Sequence, residues 1–592
     1  MNKEPMMEGA AAHNGSFDVV VIGSGLAGST LAACLARNGA RTLVLDAGTH
    51  PRFAVGESTI PYTSMAMRLI SERYGVPEIK YLSTFESVYA HINTTGGVKR
   101  NFGFVYQRPG EQQRPEESNM FQIPKILNTE NHFFRQDIDN FMLTVAAKHG
   151  AVIRQQVRVA NVQVDDDGVT LDVGPGAPVR ARYVVDASGF RSALAEQFDL
   201  REEPTRLEHH SRSLFTHMVG VRPYDDFAPR SEYGNPTRWH EGTLHHIFEG
   251  GWMWVIPFDN HPRSTNDLCS VGVQFDPRTH PVPDCSPEEE FRRFLERFPG
   301  IAQQFTNATP VREWVRTGRL QYSPKKTVGY RWCLMSHAAG FVDALFSRGL
   351  SNTMEIINAL TQRLLDALKD DDFSVERFEY VQELEQGQLD FNDDLVNNAY
   401  IAFRDWDLWD AWFRVWALTQ ILSTFEISRG YSLYSKTRDP AVLRRMERPW
   451  WRVDLREFDR SKVDDPDHAA VLEFLADVSR MMRAVDAGQA QPKDVANQIR
   501  DRLARAPFVP PAFGLADPSV RITGASAAKV LGTLRWAKRD APPAIGELTY
   551  EGLTLFMRKR FARGEFEPVE EIKQKLAGWP VLGSRLRVPE PK

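Results

Sequence analysis

FDVVVIGSGLAG, residues 17–28, is the stretch that decides the fold. The apolar, β-branched run at 17–22 is typical of a buried parallel strand. GSGLAG at 23–28 matches GxGxxG, where glycines permit a tight turn, close approach to a pyrophosphate and close helix packing. STLAACLARNGA then predicts a helix that ends at Gly39. The order strand, glycine turn, helix indicates the start of a βαβ unit.

A second strand, RTLVLDAG, follows the helix and ends at Asp46. Asp46 comes 46 − 28 = 18 positions after Gly28, where a carboxylate can bond a ribose hydroxyl. Because strand, helix, strand and acid occur in order, we predict a Rossmann-like dinucleotide site. Its phosphates would rest at the N-terminus of the helix.

Composition excludes several classes of function. The chain has 592 residues, a formal net charge of -5, 42% hydrophobic and 25% charged residues, as in an ordinary soluble protein. No basic excess points to nucleic acid or an anionic membrane, and no apolar run is long enough to span a bilayer. Four cysteines lack CxxC spacing, so we expect no metal site, no disulfides and a cytoplasmic location: Cys34, Cys269, Cys285 and Cys333.

Further segments favour FAD over NAD. DASG at 186–189 and AAGFVDALFSRGLSN at 338–352 resemble the second and third flavin-contact segments of the glutathione-reductase-type flavoproteins. HFFRQDID at 132–139 resembles the segment from which an arginine reaches the flavin. The resemblance implies that Asp343 lies at the ribityl chain and Arg135 at the flavin. From the residues alone, Arg135 would be a surface salt-bridge partner.

A second pattern narrows the family. GWMWVIPF at 251–258 contains WxWxIP, formed by Trp252, Trp254, Ile256 and Pro257. Together with GxGxxG, PRFAVGESTIP at 51–61 and GGVKRNFGF at 96–104, it resembles the FAD-dependent halogenases over about residues 17–430. Within that family the chain is similar to the phenolic type.

The resemblance implies an α/β (α+β) fold: a Rossmann-like FAD-binding domain of glutathione-reductase type with an inserted substrate β-sheet and a C-terminal helical region. We expect a flexible tail at 1–16, a halogenase core at 17–370 and a helical domain at 371–592 that caps the substrate pocket. Within the core, the FAD part would comprise about 17–60, 150–200 and 325–370, and the substrate sheet about 80–135 and 205–325.

The implied reaction is two-component halogenation. A separate NADH-dependent reductase would supply FADH2, which with oxygen and chloride or bromide yields hypohalous acid. The acid would cross to a chamber that holds an electron-rich aromatic, most simply a free phenol. Lys99, in GGVKRNF, is the lysine on which the family depends; it would polarise the acid as an ammonium or become a haloamine from a neutral, buried amine. On spacing alone, Lys99 would be an exposed strand residue and Arg100 would lie on the opposite face.

The resemblance also implies roles for other positions. Main-chain groups of Arg348 and Gly349 would bind the halide. Glu57 would lie near the flavin as a second catalytic candidate, or else cap the next helix. The implied FAD contacts are Gly23, Gly25, Leu26, Ala27, Gly28, Asp46, Arg52, Ser58, Thr59, Ile60, Arg135, Asp186, Gly189 and Asp343.

The tryptophans allow two interpretations. In a strand, Trp252 and Trp254 point to one face, where they would either pack the core or keep the flavin from acting as an ordinary monooxygenase. Four further tryptophans form a stripe on one face of a predicted helix. Such a stripe usually belongs to the core, and the alternative is a wall of the substrate pocket: Trp406, Trp409, Trp412 and Trp416.

Two departures from the family pattern matter. Phe346 stands where tryptophan halogenases carry a glutamate, which argues against indole chemistry of that type. Ala344 follows Asp343 in place of the usual proline, so the turn gains an N–H and becomes less restricted. A base for the phenol is not evident, and His217, His245 and His246 are candidates.

Three functions stay open at this point. They are a halogenase of a free phenol or of a carrier-tethered aromatic, a flavin-dependent aromatic hydroxylase, and a non-catalytic flavoprotein. WxWxIP and Lys99 favour the first.

Overall fold

The computed structural model of the chain describes residues 16–123, 130–446, 453–524 and 527–562. Nearly all of the predicted tail at 1–16 and the end of the predicted helical domain, 563–592, lie outside these residues. None of the helices among the described residues has the length and apolarity needed to cross a membrane.

The described strands fall into three sheets. In chain order they are β1 (Phe17–Ile22), β2 (Thr42–Asp46), β3 (Gly97–Lys99), β4 (Asn101–Tyr106), β5 (Ser118–Gln122), β6 (Glu130–His132), β7 (Val152–Gln155), β8 (Asn161–Asp165), β9 (Gly168–Asp172), β10 (Val179–Asp186), β11 (Arg212–Val219), β12 (Thr243–Phe248), β13 (Gly251–Pro257), β14 (Cys269–Phe275), β15 (Thr309–Pro310), β16 (Val315–Arg319), β17 (Val328–Gly329), β18 (Trp332–Leu334) and β19 (Ile522–Thr523).

The described helices are α1 (Leu26–Arg37), α2 (Pro61–Tyr74), α3 (Pro77–Tyr81), α4 (Phe85–His91), α5 (Arg135–Lys148), α6 (Ala193–Gln197), α7 (Arg230–Tyr233), α8 (Pro287–Arg297), α9 (Pro299–Ala302), α10 (Gly349–Asp370), α11 (Val375–Ala402), α12 (Trp406–Thr437), α13 (Pro440–Met446), α14 (Pro466–Asp486), α15 (Pro492–Arg505), α16 (Ala527–Arg539) and α17 (Pro543–Ala562).

The first sheet is the predicted Rossmann-like one. Its order is β17-β18-β10-β1-β2-β7, with the β8–β9 hairpin attached to β10. β1 pairs in parallel with both β10 and β2, and α1 crosses between β1 and β2. The predicted βαβ unit is therefore confirmed, although α1 ends at Arg37, before Gly39, which turns the chain with φ +90°. β8 and β9 pair in antiparallel fashion around the turn at 165–168.

The second sheet has the order β15-β11-β14-β13-β12-β4-β5-β19, with β16 on β11. β13 lies in its middle, between antiparallel β12 and β14, which places the WxWxIP residues in a fully buried strand. β19 comes from the C-terminal region and pairs in parallel with β5. The helical region thus contributes a strand to this sheet.

Long helices follow the sheets. α12 is buried almost throughout its 32 residues and packs against α2, α11, α15 and α17. The mixed α/β fold with a helical C-terminal region is confirmed. What positions the site is the junction at which α2 and α12 meet the second sheet.

Candidate active site

The glycine loop has the form that a dinucleotide needs. Gly23 has φ +100°, a conformation that L side chains rarely adopt. A Cβ on Gly28 would lie 2.0 Å from the carbonyl oxygen of Gly23, so no side chain fits there. Gly25 caps α1 without any side-chain hydrogen bond, and Leu26 and Ala27 form the first turn. The first N–H groups of α1 therefore carry no capping side chain and are suited to bind phosphate.

Asp46 ends β2 beside this loop. Its Oδ2 accepts hydrogen bonds from Ser24 N and Oγ, both at 2.7 Å. Arg52 donates to both carboxylate oxygens, at 2.5 and 2.8 Å. Burial alone raises the pKa of Asp46, but the hydrogen bonds from Arg52 and Ser24 outweigh burial and lower that pKa below its usual range. Asp46 is therefore an anionic acceptor with Arg52 folded over it.

The turn after β10 closes against the same loop. The Asp186 carboxylate accepts from Ser188 N, Ser188 Oγ, Ser192 Oγ and Leu194 N, at 2.6 to 3.0 Å. A Cβ on Gly23 would lie 2.6 Å from the Ala187 carbonyl oxygen, and Gly189 has φ +84°. The Asp186 side chain thus stabilises the turn. The backbone of the turn, and not this carboxylate, lies beside the glycine loop.

Arg135 begins α5 and holds the segment before α2. It pairs with Asp139 at 2.7 and 2.9 Å, and its Nη1 donates to the carbonyls of Val55 and Gly56 at 2.7 and 3.1 Å. The Arg135 side chain is largely buried, so the alternative of a surface salt bridge is wrong. Arg135 fixes the backbone directly before Glu57.

Glu57 does not cap a helix, because α2 starts at Pro61 with Ile60 as its N-cap. Its carboxylate Oε1 lies 2.9 Å from His217 Nε2, and both side chains are buried. The helix-capping alternative for Glu57 is therefore wrong. The His217 imidazole is hydrogen-bonded to Glu57, so His217 contacts the loop that precedes α2.

Asp343 lies in a polar cluster with no solvent exposure of its carboxylate. Its Oδ2 accepts from Ser211 Oγ at 2.9 Å and lies 3.2 Å from His209 Nε2. Its Oδ1 accepts from Leu345 N at 2.9 Å, which closes the turn in which Ala344 replaces proline. The predicted looseness of this turn is opposed by that bond.

Lys99 ends β3 and is completely buried. Its Nζ donates to Ser58 Oγ at 2.5 Å and to the Thr59 carbonyl at 2.9 Å, and it lies 3.4 Å from the centroid of the Phe102 ring. Burial lowers the pKa of Lys99 well below its usual value, although the charge of Glu130 works in the opposite direction. The alternative of an exposed strand lysine is wrong. Arg100 points elsewhere and pairs with Glu241 at 3.3 Å.

A chain of hydrogen bonds leads from Lys99 to the WxWxIP motif. Ser58 Oγ lies 2.9 Å from Thr243 Oγ1, which lies 3.0 Å from His132 Nε2, and His132 Nδ1 lies 2.9 Å from the carbonyl of Pro257. Burial lowers the pKa of His132 to about 3, so its ring is neutral at pH 7. The Pro257 carbonyl can only accept, so Nδ1 carries the proton and Nε2 accepts from Thr243. The Thr243 hydroxyl therefore donates to His132, the Ser58 hydroxyl donates to Thr243, and Ser58 Oγ accepts from Lys99.

This orientation bears on the amine of Lys99. A neutral amine has two N–H donors and one lone pair. In its neutral form, the amine would donate its two N–H groups to Ser58 Oγ and the Thr59 carbonyl and would keep its lone pair. The side chain of Ser58 thus accepts a hydrogen bond from Lys99. The side chain of Thr59 instead donates to Glu130, at 2.9 Å.

Trp252 and Trp254 share one face of β13, as predicted, with ring centroids 5.7 Å apart. Trp254 Nε1 donates to Ser270 Oγ at 3.1 Å, and a Cβ on Gly272 would lie 2.1 Å from the Trp254 ring. Both indoles belong to the main hydrophobic core together with Ile256. The indoles are therefore tightly packed. Their strand ends at Pro257, whose carbonyl is hydrogen-bonded to His132.

Arg348 is the N-cap of α10 and makes no side-chain capping hydrogen bond, and Gly349 is the first residue of that helix. Arg348 lines a small pocket together with Ile60, Tyr62 and Glu355; we call it the polar pocket. Phe346 is buried and stacks on Trp416, with ring centroids 5.0 Å apart. An aromatic stack thus forms at position 346, where the resemblance led us to expect no glutamate of the tryptophan-halogenase type.

A larger pocket lies between the second sheet and the helical region; we call it the apolar pocket. Pro61, Phe121 of β5, Ile421 and Phe425 of α12, and Leu553 of α17 belong to its mostly apolar wall. Lys99 binds the carbonyl of Thr59, Ile60 lines the polar pocket and Pro61 lines the apolar one. Three consecutive residues therefore connect Lys99 with both pockets.

Comparisons with known proteins identify the family. A family model for FAD-binding domains matches residues 16–263. Tetracycline 7-halogenase of Kitasatospora aureofaciens is 48% identical over 539 residues, which cover 90% of this chain and 94% of that protein. The chain belongs to the flavin-dependent halogenases. FAD as its cofactor and halide as its co-substrate, both expected from the sequence, are confirmed by this family.

Two further relatives agree. The monodechloroaminopyrrolnitrin halogenase PrnC of Pseudomonas fluorescens is 42% identical over 555 residues, 92% of this chain and 95% of that one. The crystal structure of halogenase PltM in complex with phloroglucinol and FAD matches with a TM-score of 0.80 and 34% identity, over 86% of this chain and 99% of that chain.

Two of the candidate bases lie on opposite faces of the second sheet. His246 faces the other side of the sheet, where it contacts Gln304 and the Tyr224 ring. The ring of His245 stacks on Phe104 at 4.4 Å, its Nδ1 donates to the Gly103 carbonyl, and burial lowers its pKa to about 3. Burial disfavours protonation of both imidazoles.

Sequence reasoning missed several groups that complete this halogenase's site. They are Ser211 and His209 around Asp343, Thr243 and His132 beyond Ser58, and Glu130 opposite Lys99 in the β3–β6 pair. Each comes from a segment distant in the chain from its partner. The sequence signal for such residues is a polar side chain within an otherwise apolar strand. This signal indicates a buried polar contact but does not identify the residue at its other end.

Proposed function

We propose that this halogenase acts on a free, electron-rich phenolic aromatic that binds in the apolar pocket, with Lys99 as the group that delivers the halogen. The observation that carries the proposal is the position of Lys99 Nζ, buried on the Phe102 ring and bonded to Thr59, directly before the residues that line both pockets. The likeness to tetracycline 7-halogenase and to PltM with phloroglucinol supports a phenolic substrate.

The residues present fit FAD. The glycine loop and α1 would hold its phosphates, Asp46 its ribose, and Arg135, the 186–189 turn and Asp343 would contribute the remaining predicted contacts. The reduced cofactor, with oxygen and halide, supplies electrophilic halogen as hypohalous acid. The main chain at Arg348 and Gly349 is where we propose that the halide binds.

The protein's own part follows from these positions. Lys99 would meet the acid with its free lone pair or its proton, while Ser58 and Thr59 hold the amine in place. The Phe346–Trp416 stack and the indoles of β13 would exclude water from the apolar pocket and prevent the flavin from acting there as an ordinary monooxygenase. Glu57 and His217 position the loop that carries Ser58 and Thr59.

We further propose a separate NADH-dependent flavin reductase as the partner and the cytoplasm as the compartment. The four cysteines are free thiols, which suits a reducing environment. The proposed cap at 371–592 is supported by α12, α16 and α17, which contribute to the wall of the apolar pocket.

The test is a product assay by mass spectrometry with FAD, a flavin reductase, NADH, oxygen and chloride or bromide. The panel contains phloroglucinol, naphthols and polycyclic phenols. We expect a halogen isotope pattern in the phenols for the wild type, and loss of this pattern with Lys99→Ala. An oxygenated product that forms without halide would instead make the protein a hydroxylase, and turnover only of carrier-bound aromatics would overturn the free substrate.

A further inference from the structure

One polar side chain lies on the border between the two pockets. Gln420 of α12 lines both the apolar pocket and the polar pocket. The apolar pocket is otherwise walled mainly by aliphatic and aromatic groups. An amide at this border is therefore well placed to orient a planar ligand that is mostly apolar.

The amide of Gln420 is not used by the protein itself. The residue is 7% exposed, and its Nε2 has no hydrogen-bond partner within the described part of the chain. A buried amide without a partner is unfavourable for folding, so such groups in native proteins call for an explanation. A ligand with an oxygen atom would supply the missing partner.

Gln420 also lies close to the reacting end of the site. It follows Trp416 by one helical turn, so both side chains lie on the same face of α12. The Trp416 ring is 5.5 Å from the Phe102 ring, on which Lys99 rests. A ring held by Gln420 in the apolar pocket would thus lie on the side of α12 that carries Trp416, the residue that contacts Phe102.

We propose that the amide of Gln420 donates a hydrogen bond to an oxygen substituent of the aromatic substrate and so decides which ring carbon faces Lys99. This inference rests on the proposed function. Gln420 is a specificity-determining residue in this scheme, because it touches the substrate but not the halogen that is transferred.

The experiment compares the wild type with Gln420→Met, which keeps the length of the side chain and removes the amide. Gln489→Met is the matched control, since Gln489 is exposed on the turn after α14. Each FAD-loaded protein is given two probes of the same ring size, a naphthol and the corresponding naphthylamine, whose amine nitrogen is a poor acceptor. Binding to the oxidised enzyme, KM, kcat and the position of the halogen are measured, together with thermal unfolding.

With Gln420→Met we expect a roughly tenfold weaker binding and higher KM for the naphthol, the value of one hydrogen bond. Several halogenated isomers should replace one, while KM for the naphthylamine stays unchanged. The variant should unfold at the same temperature as the wild type or higher, because a buried unpaired amide has been removed. Gln489→Met should match the wild type throughout.

Three results separate the possible failures. Equal KM and equal product pattern for Gln420→Met and wild type would overturn the role of Gln420 and leave the proposed function intact. A fall in the unfolding temperature with equal losses for both probes would make Gln420 a structural residue and overturn its role as well. If the wild type binds and halogenates neither probe nor any other phenol, the proposed function fails, and this inference fails with it.

Discussion

Glu57 Oε1 and His217 Nε2 lie 2.9 Å apart, across the gap between the loop before α2 and strand β11 of the second sheet. The loop also carries Ser58 and Thr59, which hold Lys99. The hydrogen bond between the Glu57 carboxylate and the His217 imidazole thus ties the loop that holds Lys99 to strand β11.

We predict that His217→Phe lowers the free energy of unfolding by about 1–3 kcal/mol, because the buried Glu57 carboxylate loses its partner. FAD binding should weaken and halogenation should fall with it. A double-mutant cycle with Glu57→Gln, followed by urea unfolding, measures the coupling. Strictly additive effects of the two substitutions would show that the pair contributes nothing.

We predict that Lys99→Met abolishes halogenation and leaves FAD binding intact. Its free energy of unfolding should equal or exceed that of the wild type, because an apolar side chain of similar length replaces a buried amine. Lys99→Ala should be less stable than Lys99→Met by about 2–3 kcal/mol, owing to the cavity that it leaves. Flavin absorbance, product assays and urea unfolding check these points; a Lys99→Met protein that still halogenates phenols would remove the lysine from the mechanism.

The lowered pKa of Lys99 predicts a pH dependence of stability. Between its folded and unfolded pKa, the unfolded chain binds a proton that the folded protein does not bind. Stability therefore rises with pH in this window, by up to about 1.4 kcal/mol per pH unit, until the unfolded pKa near 10.4. The unfolding free energy of the wild type should rise from pH 7 to 10 relative to that of Lys99→Met, so the stability advantage of Lys99→Met should shrink. A constant difference would mean that Lys99 is charged in the folded protein.

Gly272→Ala tests the packing of the indoles. The new methyl group would lie 2.1 Å from the Trp254 ring, so the ring must move, and we expect a loss of about 1–3 kcal/mol. Halogenation should fall relative to flavin oxidation. Gly318→Ala in β16 of the same sheet is the control, since nothing lies within 4 Å of its Cβ. Equal stability of the two variants would contradict tight packing of Trp254.

Local patterns predicted the parts of the site that local geometry controls. GxGxxG, Asp46 and the common face of Trp252 and Trp254 depend on spacing within one turn, one helix or one strand, and the structure places them as expected. Lys99 is different, because β3 has three residues and its pattern does not reveal that the lysine is buried. Its importance came from the resemblance to a family.

The partners of the predicted residues could not be read from the sequence. Glu57 precedes a helix and so resembles a cap, yet the partner of its carboxylate is 160 positions away. His245 and His246 are neighbours, but alternation along β12 sends them to opposite faces of a sheet whose orientation only the tertiary fold sets. Gln420 lies in a helix without any motif, and its unpaired amide becomes apparent only beside the two pockets.

The pairing of β19 with β5 has a consequence for biosynthesis. β5 ends at Gln122, but its neighbour β19 begins only at Ile522. This edge of β5 therefore remains unpaired until the intervening chain has been translated. The segments that we propose to bind FAD end at Asp343 and are translated much earlier. A nascent chain therefore contains these segments before it can close the apolar pocket, and the unpaired edge of β5 is a place where chaperones or sister chains can attach.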